Sequence, residues 1–566
     1  MAEPAQPAPP ALPPGSPLPP PSCLIPLAVA VTGHRDLAPA DEDQVRDLVR
    51  EGLAALRAEQ PATPLVALSG LAEGADMVFA EAALAAGAEL VAVLPARPEV
   101  FARDFDHPAH AERQPAALRE RFSRLLSRCS QVVVVAENLP ATDPRRYARV
   151  GAYLLRHAHL LLALWDGRES DQEGGTAQVA HLARTGAPSA DPPSPCRALD
   201  APAPIPVHHL RTPRRGERLA GSFTWQILQA GAPADTLADL HAFNQSAREF
   251  AGRNQAAVDQ ALADLNLPDH ELTFAEQRIQ QVYGVADAMA GALQRRNLRH
   301  LGIIHGVSLV MLAAFAIHST IVANLYLYLL YFLAFSLGLF WYGRGRKQRV
   351  YPRFVDYRGL AEGLRVQLFF RLAGAPARVA DLYLRKQQSE LAWLRQALRV
   401  LDIGPPRLEP RPELVRASWI EAQAGYYANA QKRDAKALAL FKRISFAGFG
   451  TGLLVGAAGL LLEGAKPALH DSDLLHWLFL FTGLLPGAGA LASSYAQRRG
   501  LAQHVREYAQ MGEIFRRAAR QVSAGDLTQD PGAFRELVLE LGREALAEHA
   551  QWVVQHRELP PNLPGS

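Results

Sequence analysis

The stretch Leu301–Tyr342 constrains the fold of this chain most, because it contains no Lys, Arg, Asp or Glu. Polar residues around Asn324 interrupt it near its middle. The first half, Leu301–Ile321, would form a helix roughly 30 Å long at about 1.5 Å per residue, which matches the hydrocarbon thickness of a bilayer. The second half, Leu325–Tyr342, follows almost at once. Together the two halves predict a transmembrane helical hairpin.

A second pair of charge-free segments, Ile444–Leu462 and Leu474–Tyr495, lies further along the chain. Basic clusters lie on the same side of all four segments: Arg295–Arg299, Arg344–Arg349, Lys432–Arg443 and Arg498–Arg499. By the positive-inside rule this asymmetry puts both termini in the cytoplasm. We therefore expect a multi-pass protein of the inner (plasma) membrane with four spans.

Upstream of the spans, short apolar runs of strand length alternate with amphipathic helical patterns. The runs are Leu24–Thr32, Pro64–Ser69, Glu89–Pro95, Gln131–Ala136 and His159–Asp166, with Pro204–Leu210 as a further candidate. Continuous apolar strands that alternate with helices are typical of a parallel sheet covered on both faces. The expected fold class is an α/β, doubly wound, Rossmann-like cytoplasmic domain, followed by an all-α four-span membrane region with cytoplasmic helices.

These patterns divide the chain into seven segments. The Pro- and Ala-rich tail, 1–22, lacks the basic start and apolar run of a signal peptide and is expected to be disordered. The other segments are an α/β domain (23–222), a helical linker (223–300), a first hairpin (301–343), a cytoplasmic helical region (344–443), a second hairpin (444–495) and C-terminal cytoplasmic helices (496–566).

Composition excludes some classes of function. The net charge of +3 over 566 residues is too small to indicate nucleic-acid binding. The three cysteines, Cys23, Cys129 and Cys196, are far apart and odd in number, so neither a disulfide framework nor a zinc site is indicated. We expect no metal and no bound cofactor.

Small-residue turns follow the predicted strands at the edge where open parallel sheets bind ligands. Glycines let the backbone approach an anion, and a helix start favours a phosphate. Arg35 adds a planar cation that suits a phosphate, Trp165 an aromatic face, and Asp166 a carboxylate for a ribose hydroxyl. The candidate ligand-binding residues are Thr32, Gly33, His34, Arg35, Ser69, Gly70, Leu71, Glu73, Gly74, Asp76, Trp165, Asp166, Gly167, Gly174, Gly175 and Thr176.

Each of these residues also has an ordinary structural explanation. Glycines between a strand and a helix often serve only the turn, and Asp76 could simply favour the positive end of a helix. Arg35 could be a surface residue and Trp165 a core residue. Neither GxGxxG nor GxxxxGK[ST] is present, so neither phosphate-binding fingerprint applies.

The combination of Thr32–Arg35, Ser69–Asp76, Trp165–Gly167 and Gly174–Thr176 resembles the SLOG superfamily. This Rossmann-like group includes the LOG nucleotide phosphoribohydrolases, nucleotide-sensing domains of bacterial defence proteins and the amino-terminal region of TRPM channels. The resemblance covers about Leu24–Leu210 and implies a nucleotide-derived ligand at these turns. LOG enzymes have PGGxGT followed by glutamates, whereas Ala177-Gln178-Val179 follows here, which favours sensing over catalysis.

Similar segments, Tyr357–Glu362 and Tyr508–Glu513, follow the two hairpins and indicate a duplicated unit. Hairpins followed by helices resemble SLATT domains, two-span modules associated with SLOG sensors, and this resemblance implies a pore-forming or membrane-disrupting effector. Glycines at every fourth residue, Gly448, Gly452 and Gly456, and again Gly483 and Gly487, allow close helix contact within the chain or in a homo-oligomer. Candidate pore-lining hydroxyls are Ser308, Thr451 and Ser493.

Three hypotheses remain open. In the first, a cytoplasmic sensor of a nucleotide-derived signal controls a four-span effector in bacterial stress or antiviral defence. In the second, the front domain is a membrane-tethered hydrolase of a nucleotide or NAD glycosidic bond, with Glu73 or Asp166 assisting. In the third, the chain is a structural membrane scaffold whose turns are only turns. We assign no catalytic residue and expect a lipid bilayer, a small-molecule ligand and further copies of the chain as partners, and no nucleic acid.

Overall fold

In this computed structural model, the described residues are 23–106, 114–170, 172–186, 204–215, 217, 223–229, 234–347, 350–384, 391–407, 409–465, 472–524 and 530–558. The predicted disordered tail lies outside them. The chain divides into two compact units. The α/β unit comprises Met1–Leu262, Pro268–Val285 and Gly363–Glu409, and the helical unit comprises Ala263–Leu267, Ala286–Glu362 and Pro410–Ser566.

The predicted α/β fold is confirmed by a sheet of seven strands within the described residues. The strands are β1 (Leu27–Gly33), β2 (Leu65–Ser69), β3 (Glu89–Leu94), β4 (Gln131–Val134), β5 (Leu160–Trp165), β6 (Val207–Arg211) and β7 (Trp225–Gln229). Their order in the sheet is β4-β3-β2-β1-β5-β6-β7. β1 to β6 pair in parallel and β7 pairs antiparallel with β6. The order reverses between β1 and β5, where open parallel sheets form their ligand crevice.

Helices cover both faces of the sheet, as apolar parallel strands require. They are α1 (Glu42–Glu59), α2 (Ala75–Ala85), α3 (Pro98–Phe101), α4 (Pro115–Leu126), α5 (Arg145–His157) and α6 (Thr176–Thr185). Alternate residues of β1 enter different cores: Val29 and Val31 pack with α1, α2 and α4, whereas Ala28 and Ala30 pack with α5 and α6. This period of two is the pattern of a strand buried on both sides.

Later parts of the chain also belong to the α/β unit. α7 (Ala234–Leu265) anchors to the start of β1, where Asn244 Oδ1 accepts from the Ile25 N–H at 2.9 Å and its Nδ2 donates to the Ile25 carbonyl at 2.8 Å. α11 (Val379–Leu382) and α12 (Ala392–Leu401) follow far downstream. Val400 of α12 joins the core under α5 and α6.

Four helices within the described residues are long and apolar enough to cross a membrane, as predicted. The helices that carry the apolar segments are α8 (Phe274–Thr320), α9 (Leu325–Lys347), α14 (Ala422–Ala465) and α15 (Asp473–Arg498). The remaining helices are α10 (Val350–Leu372), α13 (Pro412–Val415), a π-helical turn at Arg416–Glu421, α16 (Leu501–Ala524) and α17 (Pro531–Glu558). Large apolar side chains remain exposed on the four apolar helices, for example Leu333 and Phe446.

The predicted close contact between glycine-bearing helices occurs within the chain. A side chain at Gly452 would place its Cβ 2.5 Å from Pro486 Cγ, and one at Gly448 would meet the Leu485 carbonyl oxygen at 2.6 Å. Gly487 instead lies against Leu312 of α8. Gly483 differs, because nothing lies within 4 Å of the position of its Cβ. Packing of α14 on α15 therefore explains most, though not all, of the glycine pattern.

Candidate functional site

The strand order brings the predicted turns to one edge of the sheet. β1 lies between β2 and β5, so Gly33, Ser69 and Trp165 end three neighbouring parallel strands. Thr32 is buried, and Gly33 pairs in register with Leu164. The carboxyl ends of these strands thus form a shared edge, which is the position that ligands take in open α/β sheets.

Two glycines allow the turns after β1 and β2 to touch. A Cβ at Gly33 would lie 2.3 Å from the Ala75 Cβ, and a Cβ at Gly74 would lie 2.5 Å from the His34 carbonyl oxygen. Gly74 also has a φ of +79°, which disfavours any other residue. The Ala75 N–H donates to the His34 carbonyl at 3.0 Å. These two glycines therefore serve contact between protein segments, whatever they also do for a ligand.

The turn Ser69–Asp76 is closed by its own side chains. The Ser69 hydroxyl accepts from the Leu71 N–H at 3.1 Å and donates to the Asp76 carbonyl at 3.1 Å, while Leu71 has a φ of +50°. The Asp76 carboxylate accepts from the N–H groups of Ala72, at 3.4 Å, and Gly70. An acidic side chain thus already occupies the place beside these amides that a phosphate would take.

Asp76 is an unusual acid. Burial raises its pKa to about 7, although the hydrogen bond from Ala72 and the charge of Arg35 act in the opposite direction. The charge of this turn therefore depends on pH near neutrality, because the carboxyl group of Asp76 loses its proton there.

Arg35 lies on the ring of a residue that sequence reasoning missed. Its guanidinium carbon is 4.6 Å from the centroid of Tyr147, at the start of α5. The Tyr147 hydroxyl donates to Asp104, which also receives Arg146 Nη2 at 2.6 Å. Arg35 makes no ion pair with any carboxylate in the described part of the chain. It is a cation held in place by an aromatic ring and available to an anion.

A narrow crevice begins at Arg35. It is lined by Arg35, Ala72, Glu73, Phe101, Asp104 and Phe105, and its volume of about 10 Å³ leaves room for about one water molecule. Glu73 and Asp104 bring two carboxyl groups to the crevice, and Arg35 brings the opposite charge. The crevice therefore combines a cation with two acids, of which Asp104 is already bonded to Tyr147 and Arg146, so a ligand larger than water would have to lie on the outer side of Arg35.

His34 and Asp166 fill the crevice between β1 and β5. The Asp166 N–H donates to His34 Nε2 at 3.0 Å, so this nitrogen carries no proton. Burial and the nearby Arg214 lower the pKa of His34, which agrees with a neutral ring. The approach of the same nitrogen to Asp166 Oδ1, at 3.3 Å, is therefore not an ion pair. At this point the place usually open to a ligand is occupied by protein.

The Asp166 carboxylate is engaged on both oxygens. Oδ1 accepts from the Arg168 N–H at 2.9 Å and Oδ2 from Arg214 Nε at 2.9 Å. Burial favours the neutral acid, but these two hydrogen bonds prevail and hold the pKa of Asp166 below its ordinary value. The predicted contact of Asp166 with a ribose hydroxyl stays a prediction, and Arg214 supplies a competing explanation for the acid.

Trp165 and Gly167 extend this network. The Trp165 ring is buried, lies 4.4 Å from the His209 ring centroid and donates its Nε1–H to the Arg168 carbonyl at 3.1 Å. Gly167 has a φ of +85°, which lets the chain turn directly after Asp166. The aromatic face predicted for a ligand is covered by His209 on one side.

The glycine turn before α6 packs on the start of α5. A Cβ at Gly174 would lie 2.5 Å from the Ala148 N, and the Gly174 N–H donates to Gln178 Oε1 at 2.6 Å. The Gly175 N–H donates to the Gln172 carbonyl at 3.0 Å, and Thr176 begins the helix. Tyr147 of α5 contacts both this turn and Arg35. Ligand binding at Gly174, Gly175 and Thr176 stays a prediction.

Tyr147, Asp104 and Arg214 were absent from the predicted site. A signal for the first two existed, because the segments after β3 and β4 end at the same edge as those after β1, β2 and β5. The described residues contain no cluster of His, Cys, Asp and Glu that could hold a metal ion.

The helical unit has its own cavity, within its apolar part. The cavity measures about 530 Å³ and lies between α8, α9 and α15, where Ser308 and Ser494 line it together with Leu312 and Tyr331. The Ser308 hydroxyl donates to the Ile304 carbonyl at 2.9 Å. Of the predicted hydroxyls, Ser308 thus faces the interior, whereas Thr451 and Ser493 are exposed on the outside.

Comparison with known proteins adds little. No protein family and no curated protein matches the chain. A solved structure, DNA processing protein A (DprA) from Streptococcus pneumoniae, is 21% identical over 29% of this chain and 59% of its own length, with a TM-score of 0.15. The chain thus spans less than two thirds of that protein, and so low a likeness bears on neither ligand nor activity.

Proposed function

We propose that the α/β unit binds a nucleotide-derived ligand at the sheet edge beside Arg35 and that this binding controls a four-span membrane effector. Arg35 carries the proposal, because it is a cation held against Tyr147, without a described carboxylate partner, at the ligand edge of a parallel sheet. A guanidinium in this setting suits a phosphate or pyrophosphate. The crevice residues Ala72 and Glu73 lie in the turn that follows β2.

The effector half rests on the composition of the apolar helices. Their charge-free segments contain no acid or base, so a relay of protons or ions through charged side chains has no candidate there. Exposed Gly483, Thr451 and Ser493 provide small and hydroxyl-bearing surface for contact with another copy of the chain. An assembly of copies in the inner membrane, with both termini in the cytoplasm, would open a path or disturb the bilayer. A role in stress or antiviral defence fits this arrangement.

Ligand binding must favour one of two states of the protein to control anything. A thermal-shift panel of nucleotides, cyclic nucleotides and ADP-ribose on the full chain in detergent tests the sensor. We expect at least one ligand to raise the thermal midpoint, and Arg35→Ala to weaken its affinity roughly tenfold or more, as lost charge-assisted hydrogen bonds require. Arg50→Ala is the matched control, since Arg50 pairs with Asp47 on α1, away from the edge. No shift with any ligand would overturn the sensor.

Reconstitution tests the effector separately. Liposomes that hold a self-quenched dye and the full chain should leak when the ligand identified above is added, and Arg35→Ala should leak only at higher ligand concentration. If a ligand binds but never causes dye leakage or depolarisation of cells, the proposed ligand binding stands and the proposed effector function is contradicted.

A second candidate, a nucleotide or NAD glycoside hydrolase, is favoured by one observation: Glu73 lies beside Arg35 together with a second acid, Asp104, whose carboxylate is bonded to Tyr147 and Arg146. Two acids near a bound sugar are the groups that such hydrolysis uses. Base release from a nucleotide by the wild type, abolished in Glu73→Gln while binding persists, would establish the enzyme. Unchanged nucleotide after prolonged incubation would favour the sensor.

A further inference from the structure

A second cavity, unrelated to the sheet edge, lies in the helical unit between α8 and α9. It measures about 380 Å³. Its lining is formed by Ala292, Arg295, Arg296, Arg299, His300, Trp341 and Arg344. Four guanidinium groups and two aromatic rings thus surround one space large enough for a small polar molecule.

The spacing of these residues explains how two helices build the cavity. The α8 residues Ala292, Arg295, Arg296, Arg299 and His300 each have another member of the set three or four residues away, so they form one stripe of the helix. Trp341 and Arg344, three residues apart, form the facing stripe of α9. The His300 and Trp341 rings, with centroids 5.3 Å apart, close the space between the helices.

Three of the four guanidinium groups that line this cavity have no carboxylate partner among the described residues. Arg295, Arg299 and Arg344 make no ion pair with a carboxylate among the described residues, and all three are exposed. Other arginines in the described part of the chain do have such a partner; Arg358, for example, pairs with Asp287 and Glu362. Like charges that share a space repel each other, and an anion between them removes this cost.

The cavity lies at the border between charged and apolar helix surface. Directly after His300, α8 enters its charge-free segment, and directly before Arg344, α9 leaves its own. Exposed apolar side chains such as Leu309 and Phe340 continue from the cavity along both helices. A ligand that joins a phosphate to acyl chains matches both surfaces at once, whereas a soluble anion matches only the first. Trp at this level is also typical of a membrane interface.

We propose that this arginine pocket binds the headgroup of an anionic phospholipid, with the phosphate between Arg295, Arg299 and Arg344 and the acyl chains along the apolar surface of α8 and α9. Arginine suits this task because its planar fork offers two parallel donors to phosphate oxygens. Such binding would fix the first hairpin at a defined depth and make the helical unit sensitive to the lipid composition of its membrane.

Thermal stabilisation of the delipidated full chain in detergent tests the pocket. The added probes are phosphatidylglycerol, phosphatidylcholine and inorganic phosphate. We expect phosphatidylglycerol alone to raise the thermal midpoint in a saturable way. Arg295→Gln/Arg299→Gln should weaken its apparent affinity roughly 30-fold. Arg344→Gln, on the other helix, should weaken it as well, roughly fivefold.

Lys442→Gln/Arg443→Gln is the matched control. It removes two exposed charges directly before the third apolar segment, and neither residue lines the cavity. We expect this control to change the affinity less than threefold. An equal loss in both double variants would show general surface attraction and overturn the pocket. Equal stabilisation by phosphatidylcholine or by inorganic phosphate would overturn the assignment to an anionic lipid. The midpoint without lipid reports separately whether each variant folds.

Discussion

The guanidinium of Arg35 lies 4.6 Å from the centre of the Tyr147 ring, a contact between two loop-to-helix segments that follow different strands, β1 and β4. Arg35 follows β1, whereas Tyr147 begins α5, the helix that crosses to β5. The contact fixes a long cationic side chain that would otherwise lose much rotamer freedom on binding a ligand. Preorganisation of this kind raises affinity without a new contact to the ligand.

Substitutions of Tyr147 test this preorganisation. Tyr147→Leu removes the ring under Arg35 and should weaken the best nucleotide of the thermal-shift panel about two- to fivefold, the usual worth of an exposed cation–π contact. Tyr147→Phe keeps the ring and loses the hydroxyl, which bonds to Asp104, Arg146 and Arg35, so its affinity should fall less than that of Tyr147→Leu. Isothermal titration of both variants decides the matter; equal losses would assign the effect to the hydroxyl instead.

Asp76 predicts a pH dependence of stability. Burial raises its pKa from 3.8 to about 7. The folded state therefore binds more protons than the unfolded state between about pH 4 and pH 7, and the free energy of unfolding falls as the pH rises through this window. Each unit of pKa difference corresponds to about 1.4 kcal/mol. The loss is complete above about pH 7, and the contribution is fully present below about pH 4.

Asp76→Asn removes the ionisation and should flatten this part of the pH profile. Thermal midpoints from pH 4 to pH 8 measure the effect, because the difference between variant and wild type should move in favour of the variant as the pH rises. Asp43→Asn, at an exposed position on α1, is the matched control. Parallel profiles for wild type and Asp76→Asn would show that Asp76 is ionised, or neutral, throughout.

Substitution of Asp166 distinguishes a structural role of this acid from a role in ligand binding. Its carboxylate accepts from the Arg168 N–H and from Arg214 Nε, so Asp166→Asn should lower the free energy of unfolding by about 1–3 kcal/mol near pH 7. Because its folded pKa is lowered, this contribution is present above about pH 4 and is lost as the pH falls below that value. Nucleotide affinity should change less than threefold. A large loss of affinity with an unchanged midpoint would instead support a contact with a ribose hydroxyl.

Much of the fold was predictable because its signals are local. Apolar runs of strand length predicted β1 to β6, and the charge-free segments predicted the four apolar helices. β7 was missed, since the region from Phe223 onward has a helical pattern and Trp225–Gln229 depends on pairing with β6. The return of α12 to the α/β unit is also non-local: His157 Nδ1 donates to the Arg399 carbonyl at 2.6 Å across 242 residues. No local pattern encodes such a contact.

The site was predictable in position but not in detail. Glycines marked the turns because Gly33, Gly74 and Gly174 permit close backbone contact, which sequence alone cannot distinguish from room for a ligand. The sequence indicated only that Asp76 is an acid at the start of a helix. Its role as an acceptor for the turn amides depends on its burial, which the sequence does not reveal. Tyr147 lacked any motif, because its importance comes from the crossing of α5 over the sheet edge.

Substitutions of glycines on the apolar helices distinguish helix packing within the chain from contact between chains. Gly452→Ala should destabilise the protein by about 1–3 kcal/mol, because its Cβ would lie 2.5 Å from Pro486 Cγ and α14 would have to move away from α15. Gly450→Ala, two residues away with nothing within 4 Å, is the matched control and should be neutral or slightly stabilising. Thermal midpoints in detergent report both.

A substitution of Gly483 tests the proposed homo-oligomer, and here we expect a change in assembly without a change in the stability of the single chain. No atom lies within 4 Å of the position of its Cβ, so Gly483→Leu has room within one copy and should leave the thermal midpoint of the monomer unchanged. If another copy packs on this face, the larger side chain prevents close approach and shifts the population towards monomer, as small-residue faces require. Native mass spectrometry of wild type, Gly450→Leu and Gly483→Leu in the same detergent measures that population. An oligomer that persists in Gly483→Leu would place the interface on another surface of the apolar helices.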